Sequence, residues 1–271
     1  MIPWEKEKAS SGKGMNMIRL ILSDLDGTLL PKNGVLPEDT FQLIRELKKK
    51  GIRFAAASGR QYGNLCRLFA PVCDEMDFVC ENGALTVAQG KVIDQSQFPP
   101  DIAAEVMKDI LSSGLQLLVS LPKYSVLYRG GDRSFHEDVI YRLKNAAIVT
   151  DEPEAFAGEC IKISGFCADG ILSAAGPLQE KWSGKMHADV AGRCWLDFTL
   201  RGKGDGLKAL AGFYGMELKE TAAFGDQQND LSMLRIAGKG YLMESGNTGL
   251  LESGMCLCSN VTDTIRALAG I

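Results

Sequence analysis

The sequence predicts an α/β fold: a parallel sheet wound with helices, interrupted by a second, mixed α+β unit. Three observations point there. Strand-like and helix-like segments alternate at both ends of the chain, as in a parallel sheet with helices on both faces. The rhythm breaks after Ala84, where strands bunch with few helices, and resumes at Lys203. The length of 271 residues, with 45% apolar residues, allows two cores at about 150 residues each.

The elements follow in order. Residues 18–23 form an apolar run ending in Asp24-Leu25-Asp26-Gly27-Thr28, a buried strand closed by a turn. Pro37 opens a helix with Phe41, Ile44 and Leu47 on one face, and Gly51 closes it. A strand over 52–57 leads to Ser58-Gly59-Arg60, then a helix over 61–70 and a short strand at 78–80. In the middle, 85–92 reads as two short strands around Gln89-Gly90, and 101–111 as an amphipathic helix. Strands are expected at 115–121, 125–128, 160–166 and 194–198, with a helix near 177–182. The last part gives a helix from Lys203 to Tyr214, a strand at 221–224 and a helix over 229–236. Strands at 241–243 and 256–258 and a closing helix over 261–269 complete it. The expected division is 17–84 with 198–271 for the parallel unit and 85–197 for the insert, after a polar tail at 1–16.

Composition excludes several classes. Thirty basic against thirty-four acidic residues give a net charge of −4, with no electrostatic footprint for nucleic acid. No stretch is long and apolar enough for a membrane span. Eight cysteines are scattered without a Cys-x-x-Cys pair, and there are two histidines. Zinc is disfavoured, and reduced thiols in a cytoplasmic protein are expected.

The chemistry concentrates at strand ends. Asp24, Ser58 and Asp226 each follow an apolar run, so all three project beyond the carboxyl edge of the sheet, where open α/β sheets bind ligands. Asp24, Asp26, Asp226 and Asp230 offer hard oxygen donors with no nitrogen or sulfur, which selects Mg²⁺. Asp24 and Asp26, two residues apart, are expected to share one side of the strand and titrate as a coupled pair. Each motif has a plainer reading: Asp-x-Asp-Gly as a turn, Ser58 as a helix N-cap, Asn229-Asp230 as a cap, Lys203 as a surface lysine. A cation at a helix start opposes the macrodipole, which favours function for Lys203.

Taken together, DLDGTLL, SGR, the lone lysine and GDQQNDLSML resemble the four ordered motifs of the haloacid dehalogenase superfamily. Spacing and Cys80-Glu81-Asn82-Gly83-Ala84 narrow the resemblance to the Cof-like, type IIB phosphatases. It implies a Rossmann-like core with a cap inserted between the second and third motifs. It also implies Mg²⁺-dependent hydrolysis of a small phosphorylated metabolite, sugar phosphates leading, through an aspartyl-phosphate. Asp24 takes the role of nucleophile, Asp26 that of acid and base with its carbonyl on Mg²⁺, and Lys203 that of neutralising cation. Ser58, the backbone at Leu25 and Gly59, and Asn82 face phosphate or substrate. Asp226 ligates the metal, Asp230 supports it, and Asn229 orients Lys203 or phosphate. A phosphomutase and a non-catalytic metabolite sensor stay open as alternatives; the oligomeric state is not legible.

Overall fold

Two sheets share the chain, and the larger sheet holds both ends of the described residues. The computed structural model describes residues 17–30, 35–36 and 38–271. The expectations for the 1–16 tail and for Pro37 lie outside these residues. In sequence order the elements are β1 (Leu20–Asp24), α1 (Glu38–Lys49), β2 (Arg53–Ala57), α2 (Tyr62–Leu68), β3 (Asp77–Cys80), β4 (Leu85–Ala88) and β5 (Lys91–Gln95). Then come α3 (Pro100–Ser112), β6 (Gln116–Ser120), β7 (Ser125–Tyr128), α4 (Arg133–Glu137), β8 (Ala147–Thr150), β9 (Lys162–Phe166), α5 (Leu172–Trp182), β10 (His187–Ala191) and β11 (Trp195–Thr199). The last elements are α6 (Lys203–Phe213), β12 (Thr221–Gly225), α7 (Leu231–Ile236), β13 (Lys239–Met243), β14 (Met255–Cys258) and α8 (Val261–Ala269).

The first sheet runs β14-β13-β12-β1-β2-β3-β4-β5. It is parallel from β14 to β3 and antiparallel over the β4–β5 hairpin. Helices cover both faces, and the period-2 alternation of strand side chains says which residues meet them. Ile21, Phe54, Ala56 and Phe224 face the cluster that includes Leu43, Ile44 and Leu47 of α1 and Ile265 of α8. Leu20, Leu22, Ala55, Ala57 and Ala223 face Leu207 and Leu210 of α6 and Met233 of α7. Strands buried on both faces must read as continuous apolar runs, which is why the sequence exposes them so clearly.

The second sheet runs β10-β11-β9-β6-β7-β8 and is antiparallel except for β7 beside β8. Leu117, Val119, Ile163, Leu196 and Phe198 point into a core closed by α3 and α5, with Trp182 fully buried. The alternate residues of the same strands, Leu118, Ser120, Lys162, Ser164, Trp195 and Asp197, face a cavity between the sheets. The expected division at 84/85 and 197/198 does not coincide with the sheets. The hairpin at 85–95 extends the first sheet, because β4 hydrogen-bonds β3, and Phe198 belongs to β11 of the second. Four further differences sit in the middle of the sequence: α4, β8 and β10 were not expected, and α5 starts at Leu172. Both unexpected strands are short and half-exposed; β10 is broken by His187 and Asp189, while β8 is the brief apolar run Ala147-Ile148-Val149 before Thr150. Among the described residues, no helix is long and apolar enough to cross a membrane.

Candidate active site

Three neighbouring strands deliver the acidic residues. β12, β1 and β2 lie side by side, with Ser23 opposite Phe224 and Asp24 opposite Ala57. Asp24 is therefore the last residue of the central strand, Ser58 follows one neighbour and Asp226 the other. Their common edge opens into a cavity of about 540 Å³ between the two sheets. Asp24, Asp26, Ser58, Gly59, Asn82, Lys203, Asp226 and Asn229 all line it. Leu25 and Asp230 do not. The Leu25 side chain belongs to the core below, and Asp230 is buried behind the cavity wall.

Lys203 is the first residue of α6 and is 1% exposed. Its ammonium sits 2.5 Å from Asp24 Oδ1 and 2.6 Å from Asp230 Oδ1. A cation at a helix N-terminus, unfavourable alone, is thus held by two carboxylates. Burial alone would lower the Lys203 ammonium, but Asp230 and Asp24 outweigh it and raise it. Burial, then Asp230, pushes Asp24 up to about 7 against the pull of Lys203. The carboxylate that raises Asp24 is thus Asp230, not the expected neighbour Asp26. The Asp26 side chain turns outward onto Arg60, whose Nη2 and Nε donate to its two oxygens at 2.6 and 3.2 Å.

The carboxylates that converge are Asp24, Asp226 and Asp230, each with an oxygen within 4.8 Å of the others. The expected four-carboxylate cluster loses Asp26, because its side chain, two residues past the strand end, turns away onto Arg60. The donor set fits a hard divalent cation on one further observation. Asp24 Oδ2 is buried with no hydrogen-bond partner, a costly state for a carboxylate oxygen that a cation would relieve. Asp230 has both oxygens committed: Oδ1 accepts from Lys203, and Oδ2 from the backbone N–H groups of Asp226 and Gln227 at 2.9 and 3.0 Å. It braces the loop rather than offering a free ligand atom. Asp226 accepts from Gln227 Nε2 at 3.0 Å and from Thr28 Oγ1 at 3.5 Å, and burial raises it. Gly27, at φ +95°, lets the turn press against Asp226; a Cβ there would lie 2.3 Å from its Oδ2.

The remaining candidates make different contacts from those expected. Ser58 does not cap α2, whose N-cap is Gln61; its Oγ instead accepts from the Arg60 N–H at 3.3 Å. Asn229 Nδ2 donates to Asn82 Oδ1 at 3.4 Å rather than bonding Lys203. The Gly59 carbonyl accepts from Lys162, and the Leu25 carbonyl from the N–H groups of Thr28 and Leu30.

Sequence reasoning missed the wall supplied by the second sheet. Lys162 Nζ lies 2.7 Å from both Glu81 Oε2 and the Gly59 carbonyl, and 3.7 Å from Asp197 Oδ2. Asp197 also accepts from Ser164 Oγ at 2.6 Å and Asn82 Nδ2 at 2.7 Å. Glu81 had a signal, its position beside Asn82, but Lys162 and Asp197 stand on strands with no motif around them. The loop after β13 also reaches the site: Asn247 N–H donates to the Asp226 carbonyl at 2.9 Å.

Comparison with known proteins gives a consistent family. A model of the haloacid dehalogenase-like hydrolases matches residues 21–266. The chain is 28% identical over 243 residues to the 5-amino-6-(5-phospho-D-ribitylamino)uracil phosphatase YbjI of Escherichia coli, covering 87% of this chain and 89% of that one. It is 26% identical to the HMP-PP phosphatase of Cronobacter sakazakii, over 87% of each protein. Among solved structures, a haloacid dehalogenase-like hydrolase from B. subtilis superposes with a TM-score of 0.78 at 20% identity, covering 93% of this chain and 99% of that one. A HAD subclass IIB sugar phosphatase gives 0.78 at 18%, covering 93% and 100%. At those identities the structures establish the shared fold.

Proposed function

Because the chain belongs to the haloacid dehalogenase-like hydrolases, we propose that it is a Mg²⁺-dependent phosphatase of a small phosphorylated metabolite, with sugar phosphates the leading class. The observation that carries this reading is the state of Asp24. One of its oxygens is fixed by Lys203, and the other is buried without a partner at the cavity edge. A carboxylate held in one orientation, with an oxygen that the protein itself does not engage, is suited both to a cation and to attack on phosphorus.

In this reading an oxygen of Asp24 attacks phosphorus and the bond to the leaving oxygen breaks, giving an aspartyl-phosphate. Asp26 leaves Arg60 to protonate the departing oxygen. It then takes a proton from the water that hydrolyses the acyl phosphate, restoring Asp24 and releasing inorganic phosphate. Lys203 keeps Asp24 oriented and offsets the negative charge gathering at phosphorus. Ser58, Asn229 and the backbone near Leu25 and Gly59 hold the phosphoryl oxygens, and Asn82 faces the substrate. Mg²⁺, held by Asp24, Asp226 and the Asp26 carbonyl with Asp230 behind, would lessen the repulsion between carboxylate and phosphate dianion.

The unit built on the second sheet is read as a cap that selects the leaving group. The relatives named for a phosphoribitylamino-uracil and for HMP-PP support small phosphorylated substrates. All eight cysteines are free thiols, which supports a reducing, cytoplasmic setting. The test is phosphate release from a panel of phosphorylated metabolites, with Mg²⁺ and with chelator. Metal-dependent release is expected. Turnover that needs a bisphosphate activator and frees no phosphate would replace this reading with a mutase. Binding with no turnover under saturating Mg²⁺ would replace it with a sensor.

A further inference from the structure

Glu81 is held in an unusual way. It is 2% exposed yet borders the cavity. Its Oε2 is taken by Lys162 at 2.7 Å and by Ser120 Oγ at 3.3 Å. Its Oε1 is buried with no hydrogen-bond partner. Glu81, Asn82 and Gly83 have φ of +51°, +57° and +105° in succession. Left-handed backbone at two consecutive non-glycine residues costs on the order of 1–3 kcal/mol each.

Packing accounts for the turn: it lets Gly83 press on the Gly202 carbonyl beside Lys203, where a Cβ would lie 2.2 Å away. Packing does not account for the carboxylate, because a structural clasp has no use for an orphaned oxygen on a residue that lines a cavity. The orphaned acceptor makes sense if a donor arrives from the cavity. Lys162 already places an ammonium beside the carboxylate, so a second cation would be repelled. The incoming donor is then a neutral hydroxyl. The neighbouring surface suits such a group: Ser164 and Asp197 stand opposite each other across β9 and β11, while Leu118, Val190 and Trp195 offer apolar area for the C–H groups of a ring or an open carbon skeleton.

We propose that Glu81, oriented by Lys162, is a specificity-determining residue that accepts a hydrogen bond from a hydroxyl of the substrate's leaving group, which makes that group a sugar or polyol. This rests on the phosphatase reading above. Glu81 reaches the substrate from the strained loop that also carries Asn82. Lys162 links the same loop to Gly59, next to Ser58. Recognition of the leaving group is thereby tied to the peptide that faces the phosphoryl group.

The experiment compares kcat/KM for ribose 5-phosphate and glucose 6-phosphate, for their monodeoxy forms, and for phenyl phosphate, which has no hydroxyl. In the wild type, removal of the recognised hydroxyl is expected to cost roughly 10- to 100-fold, the range for a hydrogen bond to a charged group. In Glu81→Ala the parent sugar phosphate should fall by a similar factor, and the deoxy form should lose little further. Glu81→Gln, which keeps an acceptor oxygen, should recover part of the loss. Equal losses on the sugar phosphates and phenyl phosphate in Glu81→Ala would reduce Glu81 to a structural role and overturn the inference. So would a wild type indifferent to every hydroxyl, a result that needs no folded variant. Failure of the wild type on all esters, phenyl phosphate included, would remove the phosphatase reading and this inference with it.

Discussion

Lys203 Nζ lies 2.5 Å from Asp24 Oδ1 across a sequence separation of 179 residues. The second sheet is inserted between them in sequence, so this contact joins the segments before and after the insert at the cavity. Lys203→Met should leave the buried Asp24 and Asp230 without their shared cation. Turnover is expected to fall by about 10²–10³-fold, measured as kcat under saturating substrate and Mg²⁺. A variant within a few fold of wild type would show that Lys203 is only a structural counter-ion.

Asp24→Asn removes one of two carboxylates crowded on Lys203 while preserving the side-chain shape. Folding should be retained, with an unchanged or raised melting temperature. Steady-state phosphate release should drop by on the order of 10⁴-fold or more, as for loss of other enzymes' nucleophiles. Near-normal rates would overturn the assignment of Asp24.

Asp26→Asn should slow both formation and breakdown of the phospho-enzyme, each by roughly 10²–10⁴-fold. Rapid-quench measurement of the two steps separates the effects. A variant whose only defect is weaker Mg²⁺ binding would take the acid and base role away from Asp26.

Asp24, pushed up to about 7 mainly by burial and then by Asp230, makes stability depend on pH with a definite sign. Between its ordinary value of 3.8 and about 7, the folded protein keeps a proton that the unfolded polypeptide has released. This carboxyl's contribution to stability therefore declines as pH rises through that window, and the penalty is complete above it. A divalent cation needs the ionised form, so added Mg²⁺ should raise the melting temperature more at about pH 8 than at about pH 5. An equal or larger rise at the lower pH would argue against Asp24 as a ligand.

Gly27→Ala and Gly51→Ala form a matched pair. Both positions have positive φ, +95° and +73°, but a Cβ at Gly27 meets the Asp226 carboxylate at 2.3 Å, whereas at Gly51 it meets nothing within 4 Å. Gly51→Ala should cost about 1 kcal/mol of stability and leave turnover intact. Gly27→Ala should cost about 1–3 kcal/mol and displace Asp226, weakening Mg²⁺ activation at least several fold. Denaturant unfolding and Mg²⁺ titration of activity distinguish the two. Equal effects would mean that the turn does not position Asp226.

The legible and illegible parts of this sequence differ in where their information lies. Asp24, Ser58 and Asp226 could be found because each ends a strand buried on both faces, and such strands announce themselves as apolar runs. Lys203 could be found because a lysine opening a helix is locally unfavourable. The direction of the Asp26 carboxylate could not be found, since it depends on Arg60 from another strand end. Nor could Lys162 and Asp197, which look like ordinary alternating strand residues until β9 and β11 pair beside the strained loop at Glu81. The strands β8 and β10 escaped notice because they are short, half-exposed edge strands at the two margins of the second sheet, with no long apolar run to mark them.

Strand order also has a consequence for synthesis. β1 sits between β2 and β12, yet the ribosome makes β2 almost at once and β12 only after the whole second sheet. As the protein emerges, one hydrogen-bonding edge of this fully buried strand has no partner until Thr221–Gly225 appears. An open apolar edge is a template for wrong pairing between molecules, and larger proteins are most exposed to such errors before their last segments arrive. The insert that shapes the cavity therefore also sets how long the nascent molecule must wait, vulnerable to its neighbours, for the strand that carries Asp226 at its end.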